Sequence, residues 1–111
     1  MKRIILLAFL CTTTLVMAQR INHVQEAIAN YDYEAALTLI AKEKPTIPLL
    51  LQKGKAQRGL GMNTEALSTY QEIITNDTAN TRAYIEAAEC CRSLAKYQQA
   101  LKYYEQALDL N

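Results

Sequence analysis

Residues 64–80, TEALSTYQEIITNDTAN, and residues 98–111, QQALKYYEQALDLN, can be laid one above the other. Ala66 then stands over Ala100 and Tyr70 over Tyr104, both at a step of 34 residues. Upstream, Leu60 stands over Leu94, Gly54 over Ala88 and Leu50 over Tyr84 at the same step. Within each copy the apolar residues recur every three or four positions, as on one face of a helix. Tyr84, Ala87, Ala88, Cys91 and Leu94 or Ala95 mark one helix, and Tyr97, Ala100, Leu101, Tyr104, Ala107 and Leu108 the next. Small residues opposite large ones would let two antiparallel helices approach closely, with Tyr70 and Tyr104 filling the space beside Ala66 and Ala100. Gly61 is placed to end the first helix of its pair in a left-handed turn, Asn63 to cap the second, and TNDTAN to link two pairs.

A 34-residue period with two helices per unit resembles the tetratricopeptide repeat family. Leu50, Gly54, Gly61, Ala66 and Tyr70 carry the likeness in one unit, and Tyr84, Ala88, Tyr97, Ala100, Tyr104 and Ala107 in the next. NYDYEAALTLIAKE is similar to a second helix as well, with Tyr33, Ala36, Leu37 and Ile40, and INHVQEAIAN would be a short first helix before it. The resemblance implies an all-α fold, a short α-solenoid of three helix-turn-helix units at about 20–45, 47–79 and 81–111. It also has departures. Ala36 and Ala66 are only 30 residues apart, and Pro45 and Pro48 limit how far helix can run through that link. Lys53 and Gln57 occupy slots where the family puts apolar residues, so either their stems snorkel or the unit packs loosely there. Ala95 stands where Gly would ease a turn.

The N-terminus has a different character. MKRIILLAFLCTTTLVMAQ opens with Lys2 and Arg3, continues as an apolar run to Met17, and offers Val16 and Ala18 before Gln19. This three-part pattern predicts a secretory signal peptide over residues 1–18, with a repeat domain over 19–111. The run is shorter than the roughly 20 apolar residues of a membrane span and is broken by Thr12, Thr13 and Thr14. Cys11 follows Leu10 rather than a small residue, a poor setting for lipid attachment. The expected location is the periplasm or the exterior of a bacterial envelope, with no membrane span after cleavage.

The 111 residues are 50% hydrophobic and 21% charged, ordinary for a globular chain. The net charge is +1, and without Lys2 and Arg3 ten cations would face eleven carboxylates. No large single-sign field draws the chain to nucleic acid or an anionic membrane. Nor do the residues suggest catalysis. His23 is the only histidine, in the first unit, far along the chain from Cys90 and Cys91. Adjacent cysteines on a helix point about 100° apart and cannot bridge each other. Cys91 reads as core, whereas Cys90 reads as partly open and able to join two chains in an oxidising compartment. Glu86 and Glu89 read as a solvated helix face, and Gly54, Gly59 and Gly61 fit no phosphate loop. Neither cofactor nor metal is expected, and no enzymatic activity.

What the resemblance does imply is a concave groove lined by the first helix of each unit. By position it would show Leu51, Lys55 and Arg58 from the middle unit and Arg82, Ile85, Glu89 and Arg92 from the last, with Gln25 and Ile28 from the first. Four cations to one carboxylate make that groove mildly basic, suited to an acidic peptide or a chain terminus. The carboxylate-clamp offsets of some family members carry Leu51 with Lys55 and Ile85 with Glu89, so that clamp is not reproduced. The expected function is an exported, non-enzymatic scaffold for a protein or peptide partner. The final helix leaves an apolar edge at Leu101, Tyr104, Leu108 and Leu110. A repeat array normally covers such an edge, which suggests further chain beyond Asn111, a second copy, or simple tolerance of exposure. Under the first of these, the chain is the start of a larger envelope protein, a glycan- or nutrient-binding lipoprotein or an outer-membrane assembly factor.

Overall fold

Three backbone turns set the architecture. Tyr31, Gly61 and Ala95 all have positive φ, at 60°, 75° and 59°. Each ends a helix with the same pair of hydrogen bonds. Gly61 N donates to Arg58 O at 2.9 Å and Met62 N to Gln57 O at 2.8 Å. Ala95 N donates to Arg92 O and Lys96 N to Cys91 O, and Tyr31 N donates to Ile28 O and Asp32 N to Ala27 O. This is the Schellman closure, which satisfies the last carbonyls of a helix and turns the chain back. Only one of the three sites carries glycine, so Tyr31 and Ala95 hold a conformation that costs a side-chain-bearing residue about 1 kcal/mol or more.

The computed structural model describes residues 2–111, and the side chains of residues 11–111. The helices are α1 (Lys2–Ala29), α2 (Tyr33–Ile40), α3 (Ile47–Gly59), α4 (Asn63–Asn76), α5 (Thr81–Ser93) and α6 (Tyr97–Asp109). They pair as three hairpins, α1–α2, α3–α4 and α5–α6, and each hairpin packs on its chain neighbour. The result is an elongated stack of 61 × 31 × 18 Å. Among the described residues there is no strand.

Two local expectations change. The first helix is not short: α1 runs without a break from Lys2 to Ala29, because no Pro or Gly interrupts it. Lys2 and Arg3 of the expected leader lie outside the described side chains. Asn63 is the first residue of α4 rather than its cap. Only Met62 separates the Gly61 turn from α4, so the cap position falls on Met62, which makes no side-chain cap bond. Lys96, at the cap position of α6, makes no side-chain cap bond either, whereas α2, α3 and α5 are capped by short polar side chains. Asp32 accepts from Ala35 N at 3.2 Å, Thr46 from Leu49 N at 3.4 Å and Asn80 from Ala83 N at 3.0 Å. Pro48 falls in the first turn of α3, where its missing N–H has no helical partner to lose.

The core has two parts that meet at α3. Val24, Ile28, Ala36, Ile40, Leu49 and Ala56 join the first unit to one side of it. On the other side Leu50 joins Ala66, Leu67, Tyr70 and Ile73 of α4, together with Ala83, Ala87, Cys90, Cys91 and Ala100. Gln57 is not loosely packed: it is buried, and its Oε1 accepts from the Thr69 hydroxyl at 2.7 Å. Lys53 is half-buried. Cys90 is fully buried like Cys91, contrary to expectation. Helix α5 is covered on both sides, so two stripes about 100° apart, Ala83–Ala87–Cys90 and Tyr84–Ala88–Cys91, both turn inward. Burial pushes the Cys90 thiol up to about 11, and it is out of reach of a second chain. Tyr97 also departs from the expected packing: it is 66% exposed.

Candidate peptide-binding groove

Helix α3 supplies the middle of the groove. Pro48, Leu51, Gln52, Lys55 and Arg58 recur at three- and four-residue steps, so they share one face. Together with Arg82 and Glu86 of α5 and the edge of Tyr70 they line a cleft of about 350 Å³. A second cleft of about 330 Å³ lies between α3 and the first unit. Gln25, Ile28 and Ala29 from α1, and Tyr31 and Tyr33 at the turn, face Gln52 and Lys55 across it. Gln52 and Lys55 belong to both clefts, so the two form one continuous trough along the first helices of the units.

Its electrostatics are more mixed than cation counting suggests. Arg58 is ion-paired with Glu86, both side chains being partly buried, at 31% and 21% exposure. Burial works against the Arg58 charge, and attraction and hydrogen bonding to Glu86 more than offset it. Glu89 accepts from the Tyr104 hydroxyl and from Arg92, whose Nε lies 3.2 Å away. The Tyr104 bond first and Arg92 second hold the Glu89 carboxyl below the usual carboxylate range. Among the described residues no carboxylate is within ion-pair distance of Lys55 or Arg82. Lys55 and Arg82 therefore line the first cleft without a carboxylate partner, whereas Arg58 there is already engaged by Glu86.

Of the residues expected in the groove, Leu51, Lys55, Arg58 and Arg82 share the first cleft, and Gln25 and Ile28 line the second. Ile85 is exposed on α5, at 40%. Glu89 and Arg92 lie one and two turns further along the same helix. Pro48, Gln52, Glu86, Tyr31 and Tyr33 were not foreseen there. Glu86 in particular is not a freely solvated carboxylate but the partner of Arg58. Its place on the groove face was legible, because it stands four residues after Arg82 on the same helix face, but its pairing with Arg58 was not. His23 lies elsewhere on α1, 4.0 Å from Glu26 and largely exposed.

The last helix divides the expected edge residues. Leu101, Leu108 and Leu110 are exposed at 54%, 73% and 41%. Tyr104 is half-buried and turned toward Glu89 of its own hairpin. Leu101 and Leu108 stand 34 residues after Leu67 and Ile74, which pack into the core between α4 and its neighbours.

Three comparisons bear on this architecture. Residues 81–111 match the family model described as Tetratricopeptide repeat. No curated protein matches the chain. Among solved structures, the chain is similar to the crystal structure of PcrH in complex with the chaperone binding region of PopB. The TM-score is 0.81 at 19% identity, over 86% of this chain and 80% of that one. At that identity the likeness speaks for the fold. Three Schellman-closed hairpins stacked one on the next make this chain an all-α solenoid of helix-turn-helix units, the last of which matches the tetratricopeptide-repeat model in sequence.

Proposed function

We propose that the chain is a non-enzymatic interaction module that holds an extended segment of a partner protein in the trough across α1, α3 and α5. The observation that carries this reading is the trough itself, in which Lys55 and Arg82 face solvent without carboxylate partners. Apolar wall at Leu51 and Ile28 would take side chains of the partner, while the two cations favour a segment bearing carboxylates. The likeness to PcrH, solved with a region of PopB bound, supports a peptide-holding role for a fold of this kind. The charged start, apolar run and small residues at 16 and 18 support export, so the working form would begin at Gln19 in the periplasm or outside the cell. Among the described residues no helix is long and apolar enough to cross a membrane.

Site-specific photocrosslinking in the cell of origin tests the groove and export together. A photoreactive residue at Leu51 is expected to give a discrete adduct with another protein, and one at exposed Thr75 on α4 none. Mass spectrometry of the adduct is expected to find a chain beginning at Gln19. A third position, Leu108, reads whether the edge of α6 contacts a second copy. Adducts equally abundant from Thr75 and Leu51 would contradict the groove, and an N-terminus at Met1 would contradict export.

A further inference from the structure

Tyr31 combines two unfavourable features. Its φ is +60°, a conformation in which a β-carbon is strained, and the residue is 79% exposed. A large apolar side chain in such a place contributes little to folding, and glycine, as at Gly61, would serve the turn better. Strain of this kind on an exposed residue points to use rather than to packing.

The surroundings supply the use. The Tyr33 ring meets the Tyr31 ring edge-on, at a centroid distance of 6.3 Å and 75° between planes. Tyr33 is itself fixed, because it lies against the backbone of Gly59. A β-carbon at Gly59 would stand 2.4 Å from Tyr33 Cε2, so α3 makes room for the ring only by having none. Both tyrosines line the second cleft, together with Ile28 and Lys55. An aromatic corner of this form offers both a face and an edge to a bulky apolar group.

Resting on the groove reading above, we infer that Tyr31 and Tyr33 form a specificity subsite for a bulky apolar side chain of the bound segment. Lys55, shared by both clefts, and Arg82 then hold carboxylates of the same segment further along the trough. The preferred partner is an extended peptide in which acidic residues are followed or preceded by one apolar anchor at a set spacing. Charge complementarity fixes the acidic part, and the ring corner fixes the anchor.

Tyr31→Gly separates binding from folding, because it removes the ring and relieves the backbone at once. Its melting temperature is expected to rise by a few degrees. A random dodecapeptide library displayed on phage is the probe. Selection on the unaltered chain is expected to enrich peptides that combine carboxylates with one bulky apolar residue. Tyr31→Gly is expected to keep the acidic preference, lose the apolar one, and bind the originally selected peptides about tenfold more weakly. Tyr31→Phe is expected to bind as the unaltered chain does. An apolar preference that persists in the glycine variant overturns the subsite and leaves the groove standing. Failure to enrich acidic peptides over those selected by a Lys55→Glu, Arg82→Glu variant overturns the groove reading and the subsite with it.

Discussion

Tyr70→Ala is expected to destabilise the fold by about 3–5 kcal/mol, measured by urea denaturation followed by circular dichroism. Tyr70 is 1% exposed and stands where α3, α4 and α5 meet. Burial keeps its phenol protonated far above the ordinary range for tyrosine. Removing the ring would leave a cavity between packed helices, which cannot close without moving whole units. Tyr104, its counterpart one repeat later, is half-buried and serves as control. Tyr104→Ala is expected to cost well under half as much, since water can fill its place. Equal losses at the two positions would contradict the stacking order of the units.

Gly54→Ala is expected to destabilise as well, by about 1–3 kcal/mol, although glycine-to-alanine changes inside a helix usually stabilise. A β-carbon at Gly54 would stand 2.4 Å from Tyr70 Cζ and 2.8 Å from its hydroxyl oxygen. The ring is enclosed and cannot retreat, so the clash outweighs the roughly 0.5–1 kcal/mol of helix propensity that alanine brings. The sign should reverse when the ring is absent. In a Tyr70→Ala background, Gly54→Ala is expected to be neutral or stabilising, the strong coupling that residues in direct contact show. Additive effects in this double-mutant cycle would mean that the two helices do not meet at this point.

The positions of Gly54 and Tyr70 explain why so much of the fold could be read from the chain. Close helix packing demands a small residue opposite a large one, and stacking repeats that demand at the same step, so Gly54, Ala66, Ala88 and Ala100 recur where the geometry needs them. The turns were legible at Gly61, and at Ala95 by alignment, but not at Tyr31, where an aromatic residue conceals the left-handed backbone. A single apolar stripe on α5 leaves Cys90 partly open, whereas the residue is buried. A helix stacked between two neighbours turns two stripes inward. The groove was legible only in part. Lys55 and Arg82 could be carried over by position along their helices. Glu86 could not be matched to Arg58, which lies 28 residues away in the chain. That pairing depends on the angle between units, which no local pattern specifies. Tyr33 entered the groove for a similar reason: its place depends on the missing side chain of Gly59 in another unit.

The central claim is that the first helices of the three units together hold one extended acidic segment. Amide chemical-shift mapping of the isotopically labelled chain, titrated with a selected acidic peptide, tests it most directly. The account predicts shifts concentrated at Ile28 on α1, Leu51, Gln52 and Lys55 on α3 and Arg82 and Ile85 on α5, with α6 silent at Leu101 and Leu108. Shifts centred on Leu101, Leu108 and Leu110, with the trough unchanged, would contradict it and place binding on the edge of the last helix.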